Sequence, residues 1–237
     1  PDFEALEQMD LSGVKIMWTN YPNMPTGAAA SEALYAKLVD FGRRHGILIC
    51  NDNPYSFILN DRPLSILAQP GAKECCLELN SLSKAHNMAG WRIGMVAGAS
   101  DVISEILKVK SQMDSGMFKP LQLAAVEALK QGPEWFAELN AEYRRRRELA
   151  GEIFDLIGAE YDHDSAGMFL WGRVEDHAEG EVSAGQRISD KILYEAGVFI
   201  TPGFIFGRNG ENYIRISLCA KPEVLKTAAE KIRRILL

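Results

Sequence analysis

The sequence predicts an α/β fold built on a mainly parallel sheet, followed by a smaller α+β region. Three observations carry that expectation. Two short apolar runs, VKIMWT at 14–19 and ILIC at 47–50, are separated by a stretch with helical spacing, and a strand–helix–strand unit implies a parallel pair with helices on the sheet faces. Polar segments follow the apolar runs at 20–27, 52–55 and 81–84, so they gather at the carboxyl ends of strands, where ligands of such sheets bind. Beyond a long helical stretch, strands and helices mix again in a shorter region.

The elements follow in order. The run at 14–19 is a buried strand that ends in the turn formers NYPNMPTG. Residues 30–45 form a helix with Leu34, Leu38 and Phe41 on one face, stopped by Gly46. The strand at 47–50 ends at Asn51-Asp52-Asn53-Pro54, a third run at 75–79 leads into SLSKAHNMAG, and a fourth follows at 91–97. Helices are expected at 101–113 and 120–130. Pro133 opens a further helix that runs to about Ile157, long enough to link two domains. Then come MFLWGRV at 168–174, a helix at about 184–196, VFITPG, the alternating strand YIRISL at 213–218, and a last helix from Lys221. This divides the chain into 1–131, a connecting helix at 132–158, and a small domain at 159–237.

Composition sets limits. The chain has 237 residues, 47% hydrophobic and 24% charged, as in a globular protein. Its net charge of −6 argues against a phosphate-neutralising surface for nucleic acid. The run from Arg144 to Arg147 lies among Glu142 and Glu148 and reads as a solvated helix face. Cys50, Cys75, Cys76 and Cys219 form no C-x-x-C pair, and His45, His86, His163 and His177 form no i, i+4 pair, so no metal site is expected. Thiols in apolar runs fit a reducing compartment, the cytoplasm. No apolar stretch approaches the ~18 residues of a membrane span. The first residues show no charged leader with an apolar run, and the missing initiator Met permits a chain cut from something longer.

Candidate chemistry begins at Lys84. A lysine just past a buried strand faces a pocket, and partial desolvation makes an amine nucleophilic and suited to Schiff bases; alone it would read as a surface lysine. Arg92, with Ser81 and Ser83, could hold a phosphate, the guanidinium supplying a fork; the bland alternative is a structural salt bridge. Asp52, if buried, needs a cationic partner such as a protonated pyridine nitrogen, or it merely caps the turn at Asn53-Pro54. Tyr55 could hydrogen-bond a phenolic oxygen or simply end a strand. Arg215, if it faces inward from its alternating strand, could clamp a carboxylate; an arginine facing solvent is the ordinary case.

Together these blocks resemble the class I/II aminotransferases of the aspartate aminotransferase fold. NYPNMPTG is similar to their Asn-Pro-Thr-Gly segment, Asp52-Asn53-Pro54-Tyr55 to their Asp-x-x-Tyr, and Ser81-Leu82-Ser83-Lys84 with Arg92 to the Schiff-base lysine and its phosphate arginine. PGFIFGRNGENYIRISL resembles the block that ends in the carboxylate-binding arginine. The resemblance covers about residue 10 to the end. It implies pyridoxal 5'-phosphate (PLP) as cofactor, with 1–131 part of the PLP-binding large domain. Lys84 would carry the Schiff base and move the proton. Asp52 would pair with the ring nitrogen and Tyr55 with the ring oxygen; Ser81, Ser83 and Arg92 would hold the phosphate, and Arg215 the substrate carboxylate. Amino acid and 2-oxo acid would be the substrates, and the full-length protein a homodimer. A carbon–sulfur β-lyase on the same scaffold, and an effector-binding domain of a regulator, are the competing readings.

Two departures stand out. The family has Asn immediately before Pro-Thr-Gly, where it bonds the ring oxygen; here that residue is Met24, whose thioether donates nothing. Either Asn20 or Asn23 substitutes, or the cofactor electronics differ. The family also has a long region before this point, so the chain reads as truncated and poorly active, with exposed sheet edges that invite pairing.

Overall fold

The computed structural model describes residues 1–175 and 182–236; His177 lies outside the described residues. The chain divides into two compact units. One comprises Pro1–Tyr21, Ala30–Pro54 and Pro63–Lys130, the other Pro22–Ala29, Tyr55–Arg62 and Gln131–Leu237.

In the first unit, a short helix α1 (Phe3–Glu7) is capped by Asp2, whose carboxylate accepts the Ala5 N–H at 3.0 Å. Strand β1 (Ile16–Asn20) follows, then α2 (Glu32–His45). Ser31 Oγ caps α2 by accepting the Leu34 N–H at 3.1 Å, and Gly46 ends it in the left-handed region at φ 64°. Next come β2 (Leu48–Asp52), α3 (Ala72–Cys75), β3 (Cys76–Ser81), the one-turn helix α4 (Leu82–Ala85), β4 (Gly94–Gly98), α5 (Ser100–Met113) and α6 (Lys119–Leu129). The sheet order is β1-β2-β3-β4, with the first three strands parallel and β4 antiparallel to β3. The fourth run therefore returns beside the third instead of crossing the sheet. Residues between them are spent on α4 and a 3-10 turn at Ala89–Trp91, with no crossover helix of the kind a parallel return needs.

Helix α2 buries Tyr35, Leu38, Val39 and Phe41 against Ile47, Ile49, Ile66, Ala72 and Cys76. One rung of this core is polar. Thr19, Asn51 and Glu78 stand in register across β1, β2 and β3. Thr19 Oγ1 donates to Asn51 Oδ1 at 3.1 Å, and Asn51 Nδ2 donates to the Tyr35 hydroxyl at 3.1 Å and toward Glu78 Oε2 at 3.5 Å. The Glu78 carboxylate, only 4% exposed, also accepts from Ile66 N–H and from Asn80 Nδ2, each at 3.0 Å. A buried carboxylate is tolerable when donors of this kind satisfy its lone pairs. Elsewhere apolar side chains stay open: Trp18 is 63% exposed, Phe118 69% and Met113 77%.

The second unit starts its regular structure with α7 (Pro133–Ile157), with Pro133 in its first turn and Gly158 in the left-handed region behind it. It continues with β5 (Glu160–Tyr161), β6 (Phe169–Arg173), α8 (Ala184–Ala196), β7 (Thr201–Pro202), β8 (Tyr213–Ser217) and α9 (Pro222–Leu236). Its antiparallel sheet has the order β5-β6-β8-β7. Ile153, Phe154, Leu170, Ile192, Ile214 and Ile232 anchor one core, so β8 turns Ile214 and Ile216 inward and Tyr213, Arg215 and Ser217 to its other face. Among the described residues no helix is long and apolar enough to cross a membrane.

Candidate active site

In the first unit, the ends of three strands carry five of the sequence-derived candidates. Asp52 is the last residue of β2 and pairs with Leu79 of β3, two residues before Ser81. It is exposed rather than buried, yet surrounding protein removes enough water to raise its carboxyl above the usual carboxylate range. No ion pair to Asp52 occurs among the described residues.

Ser81 closes β3 and opens α4: its Oγ accepts the Ser83 N–H at 3.1 Å, which leaves its O–H as a donor. That cap fixes the one-turn helix on which Ser83 and Lys84 sit, both half-buried. The Leu82 N–H to Ile93 carbonyl bond at 3.3 Å extends the contact between these segments one residue past Ser81 and Gly94, and Arg92 directly precedes that bonded residue. Arg92 itself is exposed and left-handed at φ 53°, with one Nη1–H on the Ala89 carbonyl at 2.9 Å. Asn87, in the same loop, is also left-handed at φ 53°. Strained backbone of this kind concentrates at functional segments, at about 1–3 kcal/mol each.

Tyr55 and Arg215 belong to the second unit, gathered about Phe169. Tyr55 meets the Phe169 ring edge-on at 5.9 Å. Arg215 points to the face of β8 away from the apolar core, but its guanidinium does not lie open. It is held between Phe169 and Phe206, at 4.3 and 4.6 Å from the ring centroids, and Nη1 donates to Met24 Sδ at 3.3 Å. Its Nε–H is shielded and finds no acceptor among the described residues. Desolvation lowers the pKa of this arginine, opposed by Tyr55 and Cys219. A desolvated cation with an unused donor suits an anion.

The turn before Pro-Thr-Gly is now explicit. Asn23 Oδ1 accepts from Thr26 Oγ1 at 2.7 Å and from the Thr26 N–H at 3.4 Å, so its side chain serves the turn. Asn20 Nδ2 donates to the Asp52 carbonyl at 2.8 Å. Asn23 Oδ1 thus serves the turn, and Asn20 Nδ2 the end of the neighbouring strand. Gly27, at φ 74°, lies so close to residues 165–166 that a Cβ would come within 2.7 Å of Ser165 Cβ. Phe169, Phe206 and the Thr19–Asn51–Glu78 rung escaped the sequence reading. Nothing in spacing singles out Phe169 or Phe206, although the PGFIFG segment that holds Phe206 is rich in aromatic residues.

The donor set fits PLP. Asp52 suits a protonated ring nitrogen, the hydroxyls of Ser81 and Ser83 and the fork of Arg92 suit a phosphate, and a half-buried lysine beside them suits an aldehyde.

The aminotransferase class I and II family matches residues 1–232. LL-diaminopimelate aminotransferase of Natranaerobius thermophilus is 42% identical over 234 residues, 98% of this chain and 59% of that protein. Apo-BacF from Bacillus subtilis superposes with a TM-score of 0.91 at 34% identity, covering 100% of this chain and 60% of that one. A probable N-succinyldiaminopimelate aminotransferase from Thermus thermophilus gives 0.87 at 32%, covering 99% and 62%. The chain thus spans about three-fifths of the length of the relatives it matches. On this match, and on the mixed sheet that carries its motifs, the chain belongs to the aminotransferase class I and II family, whose members depend on pyridoxal 5'-phosphate.

Proposed function

We propose that the protein to which this chain belongs transfers an amino group between an amino acid and a 2-oxo acid, with Lys84 as the residue that holds PLP. The observation that carries this reading is Lys84 on a one-turn helix capped by Ser81, next to the strand that ends in Asp52. When bound, PLP supplies an electrophilic carbon and an electron-withdrawing ring. Lys84 Nζ would hold the cofactor aldehyde as a Schiff base, with loss of water, and would carry the proton removed from the substrate. The Asp52 carboxylate would accept the ring N–H, Tyr55 would meet the ring oxygen, and Ser81, Ser83 and Arg92 would bind phosphate oxygens. Arg215 fixes the substrate carboxylate. On this reading 1–131 belong to the PLP-binding domain, 132–158 form the connecting helix and 159–237 the small domain, and the whole protein works as a homodimer.

The relatives named for LL-diaminopimelate support a diamino dicarboxylic acid as the amino donor. The test is the absorbance of the chain mixed with PLP, before and after borohydride, beside Lys84→Ala. An aldimine band that borohydride removes, leaving a covalent pyridoxyl label of shorter-wavelength absorbance, in the parent alone supports Lys84; the same covalent label in Lys84→Ala removes it. Product analysis on the full-length enzyme then separates a keto acid from the pyruvate, thiol and ammonia of a β-lyase.

A further inference from the structure

Arg215 has an uncommon set of neighbours for a half-buried cation. Two aromatic faces cover it, its shielded Nε–H has no acceptor among the described residues, and the acceptor for Nη1–H is a sulfur. A thioether is a weak, uncharged acceptor. An acidic side chain in its place would form an internal ion pair with Arg215 and compete with any anion that came to the site. An aliphatic side chain would leave Nη1–H with nothing to accept it and the guanidinium held by its faces alone. Methionine lies between these cases: it restrains the edge of the cation and leaves the charge intact.

The placement of that sulfur is not a matter of a loose loop. The turn that carries Met24 is tied by Asn23 N–H to Ala28 O and Gly27 N–H to Asn23 O, each 2.8 Å, and by the Thr26–Asn23 bond at 2.7 Å. Ala166 N–H donates to Gly27 O at 2.9 Å and anchors the turn to its own unit.

We propose that Met24 is a positioning residue for Arg215: its thioether sets the plane and edge of the guanidinium without neutralising it, and so tunes the affinity of the site for carboxylates. This rests on the reading of Arg215 as the carboxylate-binding residue. The sulfur neither touches the carboxylate nor takes part in chemistry. It orients the fork that does.

The experiment follows the Arg215 Nε–Hε resonance of the full chain during titration with propionate at pH 7.5 and fixed ionic strength. It compares the parent with Met24→Leu, Met24→Glu and Arg215→Gln, each checked for an unchanged thermal midpoint, and takes the propionate dissociation constant of all four from isothermal titration calorimetry, since Arg215→Gln lacks the resonance. Met24→Leu keeps the apolar bulk and removes the acceptor: the free resonance should shift, and the propionate dissociation constant should rise about threefold or more. Met24→Glu should raise it more than tenfold, because the new carboxylate occupies the cation. Parent-like affinity and an unmoved resonance in Met24→Leu, with binding lost in Arg215→Gln, would overturn the role of Met24 and leave Arg215 in place. Undiminished binding in Arg215→Gln would overturn the reading of Arg215 and the proposal with it.

Discussion

Burial around Asp52 pushes its carboxyl above the usual carboxylate range although the side chain reaches solvent. A folded-state value above the unfolded one means that, between the two, the native protein holds more protons than the unfolded chain. The contribution is therefore present below the unfolded value of 3.8 and is lost as pH rises through the higher folded value. Asp52→Asn removes the charge that costs stability at neutral pH. It should stabilise the chain at pH 7 by about 0.5 kcal/mol or less, since an exposed carboxylate keeps most of its hydration, and leave it unchanged at pH 3. Urea midpoints at the two pH values check this; a loss of stability at pH 7 would mean that the carboxylate is held by a favourable partner. The same substitution should weaken PLP binding, because an amide does not stabilise a ring N–H cation as a carboxylate does. Asp52 thus trades a little stability for a poised charge.

At the scale of elements, caps and close approaches carry the argument. Ser31 and Gly46 delimit α2, and Pro133 and Gly158 delimit α7, by chemistry that is local and therefore readable in sequence. The strand–helix–strand unit, the polar segments at strand ends and the alternation of β8 were legible for the same reason. What was not legible depended on pairing across the chain. The antiparallel sense of β4 is decided by how residues 82–93 fold back. The exposure of Asp52 and the aromatic cover of Arg215 depend on which side chains other elements bring near. Gly27 shows the difference in one residue. Its motif suggested a turn, but only the structure shows the wall at 165–166. Gly27→Ala should cost about 2 kcal/mol or more, from a left-handed backbone plus a Cβ 2.7 Å from Ser165 Cβ and 2.9 Å from Ala166 O. Ser31→Ala, which removes one cap, should cost about 1 kcal/mol. Equal urea midpoints for the two would show that the wall yields.

For the molecule as a whole, the salient feature is apolar surface in the first unit. Besides Trp18, Phe118 and Met113, Leu107, Val109 and Leu123 on α5 and α6 are more than half exposed, as is Met95 on β4. Water-exposed apolar groups in this number favour association. The isolated chain should sediment with a mass that rises with concentration in the micromolar range, and Leu107→Glu with Phe118→Lys should shift the balance toward monomer. A concentration-independent monomer would show that the exposed side chains are too scattered to bind one another.

The polar rung of Thr19, Asn51 and Glu78 also bears on how the sheet is assembled. Inward side chains stay inward only when one strand slides past another by an even number of residues. Sliding β2 by two residues one way sets Ile49 beside the Glu78 carboxylate; sliding it the other way sets Asn51 beside Cys76. Either error parks a buried polar group against an apolar one and forfeits its hydrogen bonds, at about 1–3 kcal/mol. The rung therefore acts as an index mark for strand pairing, and the position of Asp52 relative to Ser81 is set before any ligand arrives.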